Sequence, residues 1–250
     1  NIGLEMVAKS PADGYTLIAM PNNLSINAPL YGKLPFDPIK DFAPIILIGS
    51  SPVFIGVNSS VPVKSVADLI ALAKAKPGTL SYASCGNGTP QHLAGELLKA
   101  VARIDLTHIP YKGCSLAIAD LLSGQVQIGF STVANFSVHL KSGKINGVAI
   151  TSKKRSALVP DIPTVAESGL PDYDVDVWFG LLGPGSLPPE IVAKVNADVN
   201  KILASPDIRE RMLKSFYEPI GGTPGQFAAL IQSDLVRFGK LIRDVGIKVD

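Results

Sequence analysis

The stretch Ser81-Tyr82-Ala83-Ser84-Cys85-Gly86-Asn87-Gly88-Thr89 reads as a strand that ends in a glycine-bearing turn and opens a helix. Glycines let a backbone come close to a ligand, and the unpaired N–H groups of a helix start attract negative charge. The hydroxyls of Ser84 and Thr89 can add hydrogen bonds to a carboxylate, while Gly86, Asn87 and Gly88 bring the backbone near. His92 falls on the first turn of the helix, where it can act as a cap or a contact. The same residues also describe an ordinary strand-to-helix turn, and by themselves they leave both readings open. A second junction, Ile109-Pro110-Tyr111-Lys112-Gly113, follows one βα unit later. In a parallel sheet both junctions fall on the C-terminal edge, where open α/β folds bind ligands. Tyr111 offers a flat apolar wall and a hydroxyl, Lys112 a positive charge, and Gly113 another permissive turn position.

Other chemistries find less support. No Gly-Lys-Ser/Thr ending and no G-x-G-x-x-G run is present, so the turn is not a nucleotide cradle. Ser84, His92 and Asp105 can be forced into a triad, but without a G-x-S-x-G elbow. Cys85 with His92 suggests a thiol nucleophile, yet no third group orients the pair, so catalysis is not expected. Cys85, Cys114, His92 and His108 lack metal-ligand spacing, and neither a metal nor a cofactor is expected. The 23 basic and 21 acidic residues leave a formal charge of +2. The tightest basic run, Lys153-Lys154-Arg155, reads as a solvated loop, which argues against a nucleic-acid partner. No apolar stretch reaches the ~18 residues of a membrane span. The first five residues show neither a basic nor an apolar signal region, which fits a cytosolic protein or a sequence lacking its beginning.

The elements that must position these junctions alternate between strand and helix, the pattern of an α/β protein with mainly parallel sheets. A helix runs to Lys9, a turn follows at Pro11-Ala12-Asp13-Gly14, and residues 15–20 form a buried strand. Residues 45–48 and 53–57 read as two further strands. Ser65 caps a helix that Pro77-Gly78 ends. Strands at 79–84, 105–110, 125–130 and 146–151 then alternate with helices at 90–101 and 115–123. After Trp178 a turn-rich linker, 183–189, leads to a helix from near Glu190, and Gly221-Gly222-Thr223-Pro224 introduces a last helix at 226–245.

Several motifs together are similar to one family. They are Pro11-Ala12-Asp13-Gly14-Tyr15-Thr16-Leu17, Leu30-Tyr31-Gly32-Lys33-Leu34-Pro35-Phe36-Asp37-Pro38 and Asp41-Phe42-Ala43-Pro44. The Tyr82 to Leu98 segment, Pro110-Tyr111-Lys112-Gly113, Pro160-Asp161-Ile162-Pro163-Thr164-Val165-Ala166-Glu167-Ser168-Gly169 and Trp178-Phe179-Gly180-Leu181 complete the set. The chain resembles the substrate-binding proteins of tripartite tricarboxylate transporters, the Bug receptors of bacterial periplasms. That resemblance implies an α/β, two-lobed periplasmic binding protein-like fold of type II, each lobe a mostly parallel sheet flanked by helices. Residues 1–57 and 178–250 would form the first lobe, and 58–177 the second, with Trp178 packed at the return crossing. The implied function is a monomeric periplasmic receptor that closes on a small carboxylate and delivers it to the transporter's membrane subunits. A receptor feeding a signalling partner, or a thiol-dependent enzyme, are the alternatives. Ligand contacts would come from both anion turns and from the loop after Met20, including Asn22 and Ser25.

Three departures from the family carry expectations of their own. The βα unit that precedes the Asn1 equivalent, with its Pro-x-Gly-Gly-x-x-Asp loop, is not in this sequence; either the sequence is truncated, the favoured reading, or the first lobe lacks a strand, and a protein lacking the unit would bind weakly or not at all. The family's aspartate after Gly129-Phe130 is replaced by Ser131, which suits a di- or aromatic carboxylate better than an amino acid. Cys85 and Cys114 replace small non-thiol residues beside the two turns, where they could form a disulfide or stay as two free thiols.

Overall fold

A computed structural model describes residues 1–248. In chain order it contains α1 (Ile2–Ala8), β1 (Ile18–Pro21), α2 (Asn23–Tyr31), β2 (Phe42–Asn58), α3 (Val66–Ala75), β3 (Ser81–Ser84) and α4 (Pro90–Ala102). Then come β4 (Thr107–Pro110), α5 (Cys114–Ser123), β5 (Ile128–Thr132), α6 (Val133–Lys141), β6 (Ile145–Ile150) and β7 (Asp176–Pro184). The chain ends with α7 (Pro189–Ala204), α8 (Pro206–Lys214), β8 (Glu218–Pro219) and α9 (Pro224–Val245). These elements form two compact units, one from Asn1–Ser50 with Trp178–Asp250, the other from Ser51–Val177.

Local chemistry explains the helices that matter most. Thr89 is extended at the N-cap of α4, its Oγ1 accepts the His92 N–H, and Pro90 occupies the first helical position. Leu93, Ala94, Leu97 and Leu98 then repeat at helical spacing and are buried. In α9 Thr223 and Gln226 form a reciprocal capping box, and Gly246 closes the helix in the left-handed conformation. Its buried stripe runs through Phe227, Ile231, Phe238 and Ile242.

In the first unit β1 pairs antiparallel with β7, and β2 pairs antiparallel with β8. Leu4, Val7, Met20, Leu24, Phe42, Trp178, Leu182, Phe227 and Ile231 share its main core. Trp178 packs there, with its Nε1–H donating to the buried Asp234 at 2.7 Å. In the second unit β3 pairs parallel with both β4 and β5, so β4, β3 and β5 run side by side. β2 then runs antiparallel to β5 and to β6. Tyr82, Phe54, Phe130, Phe136 and Tyr173 fill the interior of this unit.

Three differences from the sequence reading have physical causes. Residues 45–48 and 53–57 belong to one 17-residue strand, because the backbone stays extended through Gly49 to Pro52. Gly49 and Ser50 ladder with β8, whereas Val53 to Asn58 ladder with β5 and β6. The division into compact units falls after Ser50, within this strand. The sheets are also less parallel than alternating βα units suggest. β2 enters the second unit as a continuing strand with no crossover helix, and it pairs antiparallel there. Finally α2, α6 and α8 have no counterpart in the sequence reading: in α2 the polar Asn23, Ser25 and Asn27 alternate with Leu24 and Ile26, and Pro29 lies inside the helix, so no helical period shows.

Gly95 shows how tightly α4 sits on the sheet. A Cβ there would lie 2.3 Å from Cε2 and 2.5 Å from Cζ of Tyr82. Helix propensity alone would make Gly95→Ala stabilising by about 1 kcal/mol, but overpacking a buried ring costs about 1–3 kcal/mol. Gly95→Ala is therefore expected to lower the melting temperature, measured by thermal unfolding followed by circular dichroism. A raised melting temperature would show that α4 can move off Tyr82.

Candidate ligand site

Because β3, β4 and β5 are parallel, their ends at Ser84, Pro110 and Thr132 lie on one edge of the second unit. Each end feeds a helix directly: α4 from N-cap Thr89, α5 from N-cap Gly113 and α6 from N-cap Thr132. Three helix N-termini, each with partial positive charge and outward N–H groups, thus share this edge. Gly86, Gly88 and Gly113 have φ of +129°, +73° and +120°, which shapes both turns in a way that L side chains resist.

The two turns are tied together in three ways. The Tyr111 N–H donates to Ser84 O at 3.2 Å. A Cβ on Gly86 would meet Tyr111 O at 2.9 Å, so the backbones are in contact. Cys85 and Cys114 form a disulfide with Cα atoms 4.3 Å apart. The bond leaves no Cys85 thiol, which removes the thiol-nucleophile reading and the alternative of two free cysteines.

The predicted ligand hydroxyls mostly face inward. Ser84 is fully buried. Its Oγ accepts the Gly86 N–H at 3.2 Å and lies 2.7 Å from His108 Nε2. Thr89 Oγ1 donates to Gly86 O at 2.7 Å and also caps α4. Both residues build the turn from within instead of reaching outward. Tyr111 donates its hydroxyl to Asp120 at 2.6 Å, and burial together with that carboxylate pushes the phenol up to about 12. Its ring still packs beside Ala83, Ala117 and Val126. Exposed at the edge are Asn87, Lys112 and Ser115.

Ser131, at the end of β5, is buried and its Oγ accepts from Asn135 Nδ2 at 2.9 Å. Asn22 and Ser25 belong to the first unit, where residues 22–25 start α2 and are not a loop. Both are fully buried. The forced triad does not form. Ser84 meets His108 instead of His92, and Asp105 lies beside Gly78 at the opposite end of the strand. Among the described residues no group of three or more His, Cys, Asp or Glu could hold a metal ion.

The sequence reading missed four residues. His108 lies beneath the turn, its ring stacked between Tyr82 at 4.7 Å and His92 at 4.3 Å. Only the pairing of its strand with β3 reveals this, because 24 residues separate it from Ser84. Asn135 braces Ser131. Thr132 and Ser51 have buried hydroxyls without a hydrogen-bond partner at this same edge; Val53, two residues beyond Ser51, pairs with Thr132. Thr132 could have been suspected as a Thr between a strand and a helix.

Two α/β units joined by continuous strands, one with helix N-termini gathered on a glycine-bearing edge, define the periplasmic binding protein class. The model of the tripartite tricarboxylate transporter family receptor matches residues 1–247, and the chain belongs to that family of Bug-type receptors. Among similar solved structures is Rpa4515 of R. palustris with adipate. It has 34% identity and a TM-score of 0.94, with 99% of this chain and 83% of that one covered. The periplasmic binding protein BugD has 30% identity and a TM-score of 0.92, over 99% and 83% of the chains. MatC from Rhodopseudomonas palustris with bound malate has 30% identity and a TM-score of 0.89, over 96% and 83%. Among the described residues no helix is long and apolar enough to cross a membrane.

Two outcomes follow for stability. Closing a loop of 29-residue separation is worth about 3–4 kcal/mol in the chain-entropy model. Cys85→Ser with Cys114→Ser is expected to lose that much in urea unfolding, and dithiothreitol should reproduce the loss; no change would remove the assigned bond. Burial, then His92, lowers His108 from 6.5 to about 4. Tyr82, His92, Glu96 and Lys99 are the other titratable groups around it, and burial lowers His92 as well. As pH falls below 6.5 the unfolded chain takes up a proton that the folded chain refuses. Stability should decline by up to roughly 3 kcal/mol between about pH 6.5 and 4 and then level off for this group. Urea unfolding across this range should show the decline, and His108→Phe should remove much of it.

Proposed function

We propose that the protein is a non-catalytic periplasmic receptor that binds a small organic carboxylate at the C-terminal edge of its second unit. The observation that carries this is the delivery of α4, α5 and α6 onto one edge by three parallel strands. Such helix starts hold an anion through backbone N–H groups and need no buried cation. Adipate in Rpa4515 and malate in MatC support the same ligand class. In this reading Gly86, Gly88 and Gly113 shape the turns that open the helix starts, Asn87 lies exposed between the first two, and Lys112 adds a solvated positive charge. Ser84, Thr89 and His92 support the turn, Tyr111 is the wall, and Ser131 lines the β5 end.

The ligand we favour has no amine. Ser131 carries no charge, and the carboxylates near the turns are already engaged. Asp120 takes the Tyr111 hydroxyl, while Glu96 takes the Tyr82 hydroxyl and pairs with Lys99. An ammonium group would find no free counter-ion among them. The bound carboxylate would then pass to the membrane subunits of a tripartite tricarboxylate-type transporter, with the receptor acting as a monomer.

Titration calorimetry of the purified protein with adipate, malate and a set of amino acids tests this. Adipate or malate is expected to bind and the amino acids are not. If an amino acid is the main species released from purified protein, as read by mass spectrometry, the amine-free assignment fails. Gly86→Ala should weaken binding by more than about tenfold, because φ is +129° and Tyr111 O leaves no room for a Cβ. Lys112→Ala should cost less than about tenfold. The reverse order would mean that a side chain, not the backbone, holds the anion.

A further inference from the structure

We propose that His108 is a positioning residue of the ligand edge, which acts through Ser84 to set the backbone of the Gly86 turn. The inference rests on the proposed function and adds a residue that touches no ligand. His108 lies on β4 directly opposite Tyr82 of β3, and Ser84 follows two residues along the same face of β3. Its Nε2 is 2.7 Å from Ser84 Oγ. That oxygen in turn accepts the Gly86 N–H, and Gly86 O accepts from Thr89 Oγ1. The circuit closes on the helix side. Thr89 Oγ1 accepts the His92 N–H, and the His92 ring stacks on His108 at 4.3 Å.

Ser84 is fully buried, so water cannot replace a lost partner. If His108 offered no nitrogen, the hydroxyl would be held only by its 3.3 Å contact to Gly86 O, and the bond from the Gly86 N–H would weaken. Gly86 sits at φ +129°, far from the basins that other residues hold unaided. A ring of the same shape could fill the space between Tyr82 and His92, but it would leave the serine only its longer contacts with Gly86, to O at 3.3 Å and from N–H at 3.2 Å, in place of the 2.7 Å contact to Nε2. His108 has no carboxylate orienting it and Ser84 is out of reach of a substrate, which separates this pair from a catalytic dyad.

Three variants distinguish positioning from packing, with the disulfide intact. His108→Phe keeps the stack and loses the nitrogen; His108→Gln keeps a polar atom near the Nε2 position; Ser84→Ala removes the intermediary. Amide hydrogen exchange at Gly86, measured by NMR on ligand-free protein, and calorimetry with adipate and malate are the readouts. His108→Phe and Ser84→Ala should each speed exchange at Gly86 and weaken binding about five- to tenfold. The double variant should be no worse than either single one, and His108→Gln should restore most of the loss. Unchanged Gly86 exchange in His108→Phe, or losses that add in the double variant, would overturn the proposal. So would faster exchange with unchanged affinity. If the wild-type protein binds neither carboxylate, the functional reading fails, and exchange at Gly86 alone decides whether His108 sets the turn.

Discussion

The parallel register of β3 on β4 places Ser84 beside Pro110 and Tyr82 beside His108, and the whole edge depends on it. Both strands end at the same height, so their two turns start side by side. Cys85 and Cys114 come within bonding distance only because of that alignment. The Tyr111 N–H reaches Ser84 O, and His108 reaches under Ser84, for the same reason. A slip of one residue would turn every side chain on β4 to the other face. The aromatic stack, the serine contact and the disulfide would be lost together. Register is therefore the constraint, and the disulfide holds it at the end where no further ladder bonds are available.

Beneath the Gly86 turn the polar side chains of Ser84, Thr89 and His108 engage one another or the turn backbone. Burial pushes His108 down to about 4 and lowers His92 as well. Glu96, the nearest charge, is balanced by Lys99 and the Tyr82 hydroxyl. A cation buried under the turn would bind an anion more strongly, but desolvating it without a partner would cost several kcal/mol. Helix starts avoid that cost. Their partial charges come from the backbone that the fold already orders, and they hold an anion without a new ionised side chain. His108 suits this layer, since an uncharged imidazole offers Ser84 a hydrogen bond without adding a buried charge.

The parts of this design that were legible in the sequence are those carried by local chemistry. Pro90 after Thr89, the apolar repeat through Leu93, Leu97 and Leu98, and Thr223-Pro224 ahead of α9 mark helix starts through capping and period. The glycines marked the turns, because only a few residues tolerate their φ. Side-chain direction was not legible. Ser84, Thr89 and Tyr111 carry the right groups for a ligand, yet each spends its hydroxyl on Gly86 or Asp120. Nothing in a linear pattern tells a hydroxyl facing out from one facing in. The role of His108 depends on a neighbouring strand and could not be seen before the sheet was known. The extent of β2 was hidden for a related reason: Gly49 to Pro52 looked like a break, while ladders on both sides hold the backbone extended. The motifs shared with the receptor family supplied what periodicity could not, namely membership of the tripartite tricarboxylate transporter receptor family.

The division of labour within the edge also bears on how ligand choice can vary. Residues that shape the turns are buried and mutually bonded, so a change at Ser84, His108 or Thr89 disturbs several contacts at once. Asn87, Lys112 and Ser115 are exposed on the same edge. Substitution there leaves the backbone donors in place while altering charge and reach next to them. Ser131 lies between these classes, being buried but braced by a single bond from Asn135. An aspartate at that position would bring a negative charge to the end of β5, where Asn135 already stands as a donor and an ammonium-bearing ligand could complete the pairing. In the proposed reading a serine-to-aspartate step would make this end of β5 suited to an amino acid, without touching the register that holds the edge together.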